Sequence, residues 1–449
     1  MRLASLARAT AAAGFFTLAA AAPAIAQSAA HSVAQSMPQS AAPSAIGIDA
    51  ADTAWMIVAT ALVLMMSIPG LALFYAGMVR KKNVLATMAQ TFAVTALCSV
   101  LWMIVGYTLT FAGAGAFIGT LDRFALYGMS MNSVSPFAPT IPEALYMMYE
   151  MAFAVITVAL VAGSVADRMR FSAFLWFSAL WLVVVYVPLA HWVWGGGFLA
   201  RAGMLDFAGG TVVHLNAGIA GLVGALVLGT RRGYGTDNFA PYNLSLAVIG
   251  TGLLWVGWFG FSGGSAFAVG SRAVFAIVAT HLAASAGALT WMTLEWWSRG
   301  KPSVLGMISG AIAGLCAITP AAGFVLPWHG LVIGIVGGLA CFFSCTWLKR
   351  VCGYDDSLDV FGVHGVGGAT GTLLVGVFAT RAIGNASGAL EGHLSQILSQ
   401  LYGIAVTLIW SGGATFVLLK AVSAFAALRV DKQAEIEGLD VTQHGEALQ

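Results

Sequence analysis

The sequence predicts an all-α integral membrane protein of eleven transmembrane helices, built as two inverted five-helix repeats plus a final helix. Three observations predict it: a composition unsuited to water, a series of apolar stretches of membrane-spanning length, and a buried pattern that occurs twice. Hydrophobic residues make up 59% of the 449 positions and charged residues only 8%, with a mean hydropathy of +0.88. A soluble domain carries about a quarter charged residues, so lipid must be the main solvent. The 54 glycines agree, because small residues let helices approach closely within a bilayer. A formal net charge of +2 gives no ground for nucleic-acid binding. Cys98, Cys316, Cys341, Cys345 and Cys352 fall within or at the ends of apolar segments and suggest neither a disulfide framework nor a zinc spacing.

The chain opens with Arg2 and Arg8 ahead of a short alanine-rich run, Ala11 to Ala22, then Ala24-Ile25-Ala26. This predicts a secretory signal peptide over residues 1–26. Residues 27–50, rich in Ser, Ala, Gln and Pro, read as a disordered lead-in. The membrane domain follows over 51–428. Its spans are expected at Trp55 to Met78, Val84 to Phe111, Pro142 to Ala162, Phe171 to Leu189, Phe207 to Leu228, Leu244 to Ser262, Ala273 to Trp297, Val304 to Ile318, Gly330 to Leu348, Val360 to Ala379 and Ile397 to Leu428. Basic residues cluster on alternate loops: Arg80 to Lys82, Arg168 and Arg170, Arg231 and Arg232, Arg299 and Lys301, Lys349 and Arg350, then the tail. Cytoplasmic loops collect Lys and Arg, so the mature amino terminus is expected outside and the tail, 429–449, in the cytoplasm.

Ionisable residues within spans point to function, and here two histidines share a setting. Asp206 precedes His214 by the offset at which Asp356 precedes His364, and glycines follow at matching offsets, Gly218 and Gly221, then Gly368 and Gly371. Each histidine falls in the fifth span of its half. An odd number of spans per repeat inverts the second half, which brings the two histidines together near the midplane. Neutral imidazoles can pass a hydrogen bond between them, a lining suited to a small polar solute or a proton. No further His, Cys or carboxylate lies at ligand spacing along the two helices, so no metal is expected.

Several blocks resemble the Amt ammonium transporters, in their bacterial branch rather than the Rhesus proteins. They are Asp206-Phe-Ala-Gly-Gly-Thr-Val-Val-His214, Trp194-Gly-Gly-Gly197, Gly257-Trp-Phe-Gly-Phe261, Gly306 to Pro320, Asp359-Val-Phe-Gly-Val-His364, and the tail from Leu428 to Glu446. The resemblance implies a homotrimer with a pore through each subunit, ammonium as substrate, no cofactor and no enzymatic activity. It also implies a bacterial inner-membrane location and a PII-type signalling protein docking at the cytoplasmic face. Carried over, Trp194, Phe153, Ser265 and Asp206 form the outer recruitment site, with Asp206 holding it together. Phe153 and Phe261 stack as the gate, His214 and His364 line the pore below, and Trp258 packs beside it.

These roles make physical sense. An aromatic face holds a desolvated cation by about 2 kcal/mol or more, and the Ser265 hydroxyl can accept a hydrogen bond that potassium cannot donate. An intact charge crosses an apolar gate only at high cost, so shedding a proton is the cheaper route, and it is closed to potassium. The sequence departs from the family at Glu150, where glutamine is expected near the outer site, and at Ser262, in place of asparagine. It also lacks a tyrosine at its end. An ammonium sensor with little flux, an intramembrane enzyme using the histidines, and a channel for another neutral gas remain as alternatives.

Overall fold

The structure, a computed structural model, describes residues 47–448; the expected signal peptide and the lead-in up to residue 46 lie outside them. Ten described helices are long and apolar enough to cross a bilayer, and a shorter apolar helix, Val304–Ile318, completes eleven. They are α1 Ala50–Met78, α2 Lys81–Phe111, α3 Glu143–Val165, α4 Phe171–Arg201, α5 Gly210–Leu228, α6 Leu244–Gly264, α7 Ser271–Arg299, α8 Val304–Ile318, α9 His329–Cys352, α10 Phe361–Phe378 and α11 Ser395–Ser423. A two-stranded antiparallel hairpin, β1 Val134–Ser135 and β2 Ala138–Pro142, lies in the loop between α2 and α3. All five cysteines are free.

Most span limits differ from those expected by a few residues, and two of the differences have a visible reason. Hydropathy falls at His191, yet α4 continues through it to Val193 before pausing at Trp194 and resuming as Phe198–Arg201. The buried imidazole is tolerated there because its nitrogens lie 2.7 and 2.8 Å from the carbonyls of Thr110 and Gly115. At the other extreme, α11 stops at Ser423 although apolar residues run on to Leu428. Beyond it the backbone pairs sideways, Arg170 N–H donating to Leu428 and Val430 N–H to Arg168.

The core of the fold is the crossing of α5 and α10, the fifth helices of the two halves. A Cβ on Gly218 would lie 2.3 Å from the Gly365 backbone, and one on Gly368 would lie 2.3 Å from the Gly210 carbonyl and 2.8 Å from the Leu215 nitrogen. Each glycine, four residues after its histidine, thus receives the backbone beside the other histidine. Carbon-to-backbone contact this close is open only to glycine, and dispersion across the seam replaces the hydrophobic drive that lipid removes. Gly221 and Gly371 repeat the relation one turn on, against Ser164 of α3 and Ala317 of α8.

The tail folds back on one face of the bundle as α12 Lys432–Glu437 and α13 Leu439–His444. Glu435 accepts from the Arg232 N–H at 2.6 Å and pairs with Arg429 at 2.8 Å. Asp440 accepts from the Ala86 N–H at 2.7 Å, satisfying an otherwise free donor in the first turns of α2. On the same face Arg231, after α5, grips Asp355, before α10, through three side-chain bonds of 2.8, 3.0 and 3.2 Å and a backbone bond of 2.7 Å. Burial alone would raise the Asp355 carboxyl, but the bonded Arg231 guanidinium, with Arg168 nearby, holds it below the usual range.

Adding a methyl group at the crossing overpacks it, at about 1–3 kcal/mol. Gly218→Ala and Gly368→Ala should both lower the melting temperature of the detergent-purified protein, whereas Gly252→Ala, whose Cβ meets nothing within 4 Å, should not. Equal melting of all three would contradict the crossing.

Candidate functional site

Asp206 organises one end of the site. Its Oδ1 accepts from the N–H groups of Gly209 and Gly210 at 2.8 and 2.7 Å, and its Oδ2 from Thr211 and Val212 at 2.8 and 3.1 Å. Those are the free donors at the start of α5, so a single carboxylate closes the helix end. Burial raises this carboxyl, and the four N–H groups oppose the shift. Its backbone carbonyl accepts the Trp194 indole N–H at 2.8 Å, which fixes the ring where α4 pauses. Asp356 repeats part of the role for α10, accepting from the Phe361 N–H at 2.7 Å and the Ser164 hydroxyl at 2.8 Å.

From Trp194 the aromatic residues step inward. Its ring stands edge-on to Phe153, centroids 5.8 Å apart, and Phe153 lies over Phe261 at 4.1 Å with 18° between planes. Trp194 and Ser265 are half-buried while both phenylalanines are buried. The Ser265 hydroxyl donates to the Phe261 carbonyl at 2.8 Å, so its oxygen retains lone pairs to accept with. The Tyr149 hydroxyl lies 3.3 Å from it and bonds the carbonyls of Gly260 and Phe261 at 3.0 Å.

Beneath the phenylalanines lie the histidines, each within a π-helical turn, Gly210–Leu215 and Phe361–Gly365. Such turns insert an extra residue and re-aim side chains. The two Nδ1 atoms are 3.2 Å apart and the rings are inclined by 23°. Both rings line one cavity of about 10 Å³, walled by Phe261, Trp258, Leu254 and Ile312. Trp258 lies against His214, centroids 5.2 Å apart, and is held there by an indole bond of 3.0 Å to Thr319. His214 Nε2 is buried without a hydrogen-bond partner. On the far side His364 also lines a second cavity of about 140 Å³, shared with Cys345, Ser357 and Asp359. Asp359 there pairs with Lys349 at 2.7 Å.

The residues singled out in the sequence can now be placed. Trp194, Phe153, Phe261, Trp258, His214 and His364 form one continuous file of rings, with Asp206 at its Trp194 end and Ser265 bonded to the Phe261 carbonyl. Glu150 is set apart: it is 4% exposed, beside Tyr146, Tyr149 and Tyr186, and lines neither cavity. It therefore does not face a vestibule as a free charge. Three further residues reach the rings: Tyr149, Thr319 and Cys316. Tyr149 carries a signal, one turn before Phe153; Thr319 and Cys316 lie in the Gly306 to Pro320 block, but only the packing of α8 brings them to the rings. Cys316 Sγ lies 3.2 Å from His364 Nδ1, so a third potential ligand reaches the histidine pair from a different helix. The sequence offers no such neighbour along α5 and α10; the packing of α8 supplies it.

A multi-pass helical membrane protein with a narrow, ring-lined path and a histidine pair at its centre belongs among the transporters and channels. The description Ammonium Transporter Family matches residues 54–448, and the chain belongs to that family. It is 48% identical to the ammonium transporter of Bacillus subtilis over 397 residues, 88% of this chain and 97% of that one. It is 42% identical to the ammonium transporter Amt1 of Archaeoglobus fulgidus, over 88% and 98% of the two chains. The crystal structure of Saccharomyces cerevisiae Mep2 superposes with a TM-score of 0.81 at 38% identity, covering 86% of this chain and 89% of that one.

Replacing Asp206 tests the helix start directly. Asp206→Ala leaves four buried N–H groups unmatched, at about 1–3 kcal/mol each, and should lower the detergent melting temperature more than Asp206→Asn, which keeps one accepting oxygen. If the alanine variant melts like the unaltered protein, the cap has no structural role.

Proposed function

We propose that the protein carries ammonium across a bacterial cytoplasmic membrane, recruiting it at Trp194, Phe153 and Ser265, taking off its proton, and passing ammonia along the His214–His364 path. The observation carrying this reading is the pair of Nδ1 atoms 3.2 Å apart in a cavity of about 10 Å³ beneath stacked phenylalanines. A space of that size holds about one small molecule and no hydration shell. A bare cation there would lose its solvation at a cost of several kcal/mol, whereas ammonia carries no charge.

One Nδ1 donates to the other, and only one proton fits between them. When His214 Nδ1 is the donor, its unpartnered Nε2 is an acceptor; in the reverse tautomer it is a donor. Ammonia can both give and accept a hydrogen bond, so it matches either state. The shed proton travels separately, with the histidines on its route. Trp194 offers the ring face that attracts the cation, and Ser265 the acceptor that favours ammonium over potassium.

In this reading the Trp194 end faces outward, the basic loops and the tail face the cytoplasm, and the leading 26 residues are a signal peptide. Three subunits assemble, and the docked tail forms part of the surface that meets a PII-type protein. One structural relative is named Sensor Amt Protein, at 27% identity and a TM-score of 0.81. Flux therefore has to be measured rather than binding alone.

An ammonium pulse applied to proteoliposomes, read as charge movement, should give a transient current that potassium does not. His214→Ala should reduce it at least tenfold, the order of a lost proton-transfer step, and Phe261→Ala should weaken discrimination against potassium. No current, with ammonium binding intact, would favour a sensor. Currents equal for the two ions would end the proton-shedding route.

A further inference from the structure

Cys316 gives the histidine pair a property that ammonium passage does not require. Its Sγ lies 3.2 Å from His364 Nδ1, which is itself 3.2 Å from His214 Nδ1. Among the described residues these three ligand atoms all lie within 4.8 Å of one another, all buried. Around a metal ion bound at ~2.0–2.3 Å, neighbouring tetrahedral donors sit about 3.3–3.7 Å apart, so the trio needs only small shifts to converge on one ion. We propose that His214, His364 and Cys316 form a binding site for a soft, thiophilic, monovalent cation such as cuprous or silver ion, and that its occupation blocks the pore.

The preference follows from donor chemistry and burial. Two imidazoles and a thiolate are soft or borderline ligands, which take up cuprous and zinc ions and reject magnesium, calcium and alkali ions. A thiolate with a monovalent ion is neutral overall, whereas a divalent ion would leave a net positive charge in a site surrounded by apolar side chains. The exchange balances simply. The Cys316 S–H bond breaks, a sulfur–metal bond forms, and the proton leaves with water. Both histidines stay neutral: the hydrogen bond between the Nδ1 atoms is given up, the ring that donated it moves its hydrogen from Nδ1 to Nε2, the other ring keeps its hydrogen on Nε2, and both Nδ1 lone pairs turn to the metal.

The ion has an approach from the tail side. His364 forms part of the wall of the cavity of about 140 Å³, which it shares with Cys345, Ser357 and the Lys349-paired Asp359. From the other side the stacked phenylalanines stand in the way. Once bound, the ion holds both rings and removes the hydrogen bond between them. The block of flux rests on the pore reading given above; the binding itself does not.

The test uses the full-length purified protein and silver nitrate in chloride-free buffer, with two readouts. X-ray absorption at one silver equivalent per subunit should show mixed nitrogen and sulfur coordination; sulfur alone would place silver on another thiol and overturn the site. In proteoliposomes, silver should abolish the ammonium current and a thiosulfate wash should restore it. Cys316→Ser should raise the half-blocking silver concentration by about 100-fold, since losing a direct ligand costs at least as much as losing a supporting one. Cys341→Ser and Cys345→Ser should leave it unchanged. If Cys345→Ser alone relieves the block, the proposal is wrong. Mixed coordination in the unaltered protein with undiminished current would keep the site and remove the pore reading instead.

Discussion

The two histidines can face each other only because α5 and α10 cross without side chains between them. Gly218 and Gly368 each admit the other helix's backbone to within a distance no Cβ would allow. A bilayer offers little hydrophobic reward for bringing helices together, so the seam depends on dispersion and on satisfied polar groups. Asp206 and Asp356 supply the latter by closing the starts of the same two helices. The 3.2 Å separation of the two Nδ1 atoms follows from backbone contact, which is stiff, rather than from rotamer choice, which is soft.

On the proposed route, chemistry changes in the order a cation losing its charge would need. Indole and hydroxyl come first, then two phenyl rings, then imidazoles in an almost filled space, then a larger cavity bearing a carboxylate. The steps draw on different sets of helices: α4 with the end of α6, α3 with α6, α5 with α10, and α1, α8 and α9 with the loop before α10. Held by so many elements, the site is rigid, and its geometry is not easily altered by ligand binding alone.

The span pattern was legible because lipid imposes one rule on every helix, and Val304–Ile318 falls where hydropathy put it. Limits failed where polarity was satisfied locally, as at His191, or where apolar residues continued past the helix, as at Leu428. The histidine pair was legible from its duplicated spacing. Cys316 and Thr319 were not: no periodicity relates α8 to α5, and contacts between helices distant in the chain leave no mark in one sequence. Glu150 could be recognised as unusual but not placed, since a one-turn offset from Phe153 points it among tyrosines instead of along the path.

The grip of Arg231 on Asp355 spans the divide between the two repeats. Removing one partner from a buried pair of this kind costs about 3–5 kcal/mol, because the survivor stays charged and dry. Swinging the repeats apart, as rocker-type carriers do, would have to sever it together with the glycine seam on every cycle. The scaffold is therefore built to stay still, and a route through it would have to open by local side-chain rearrangement instead of domain motion.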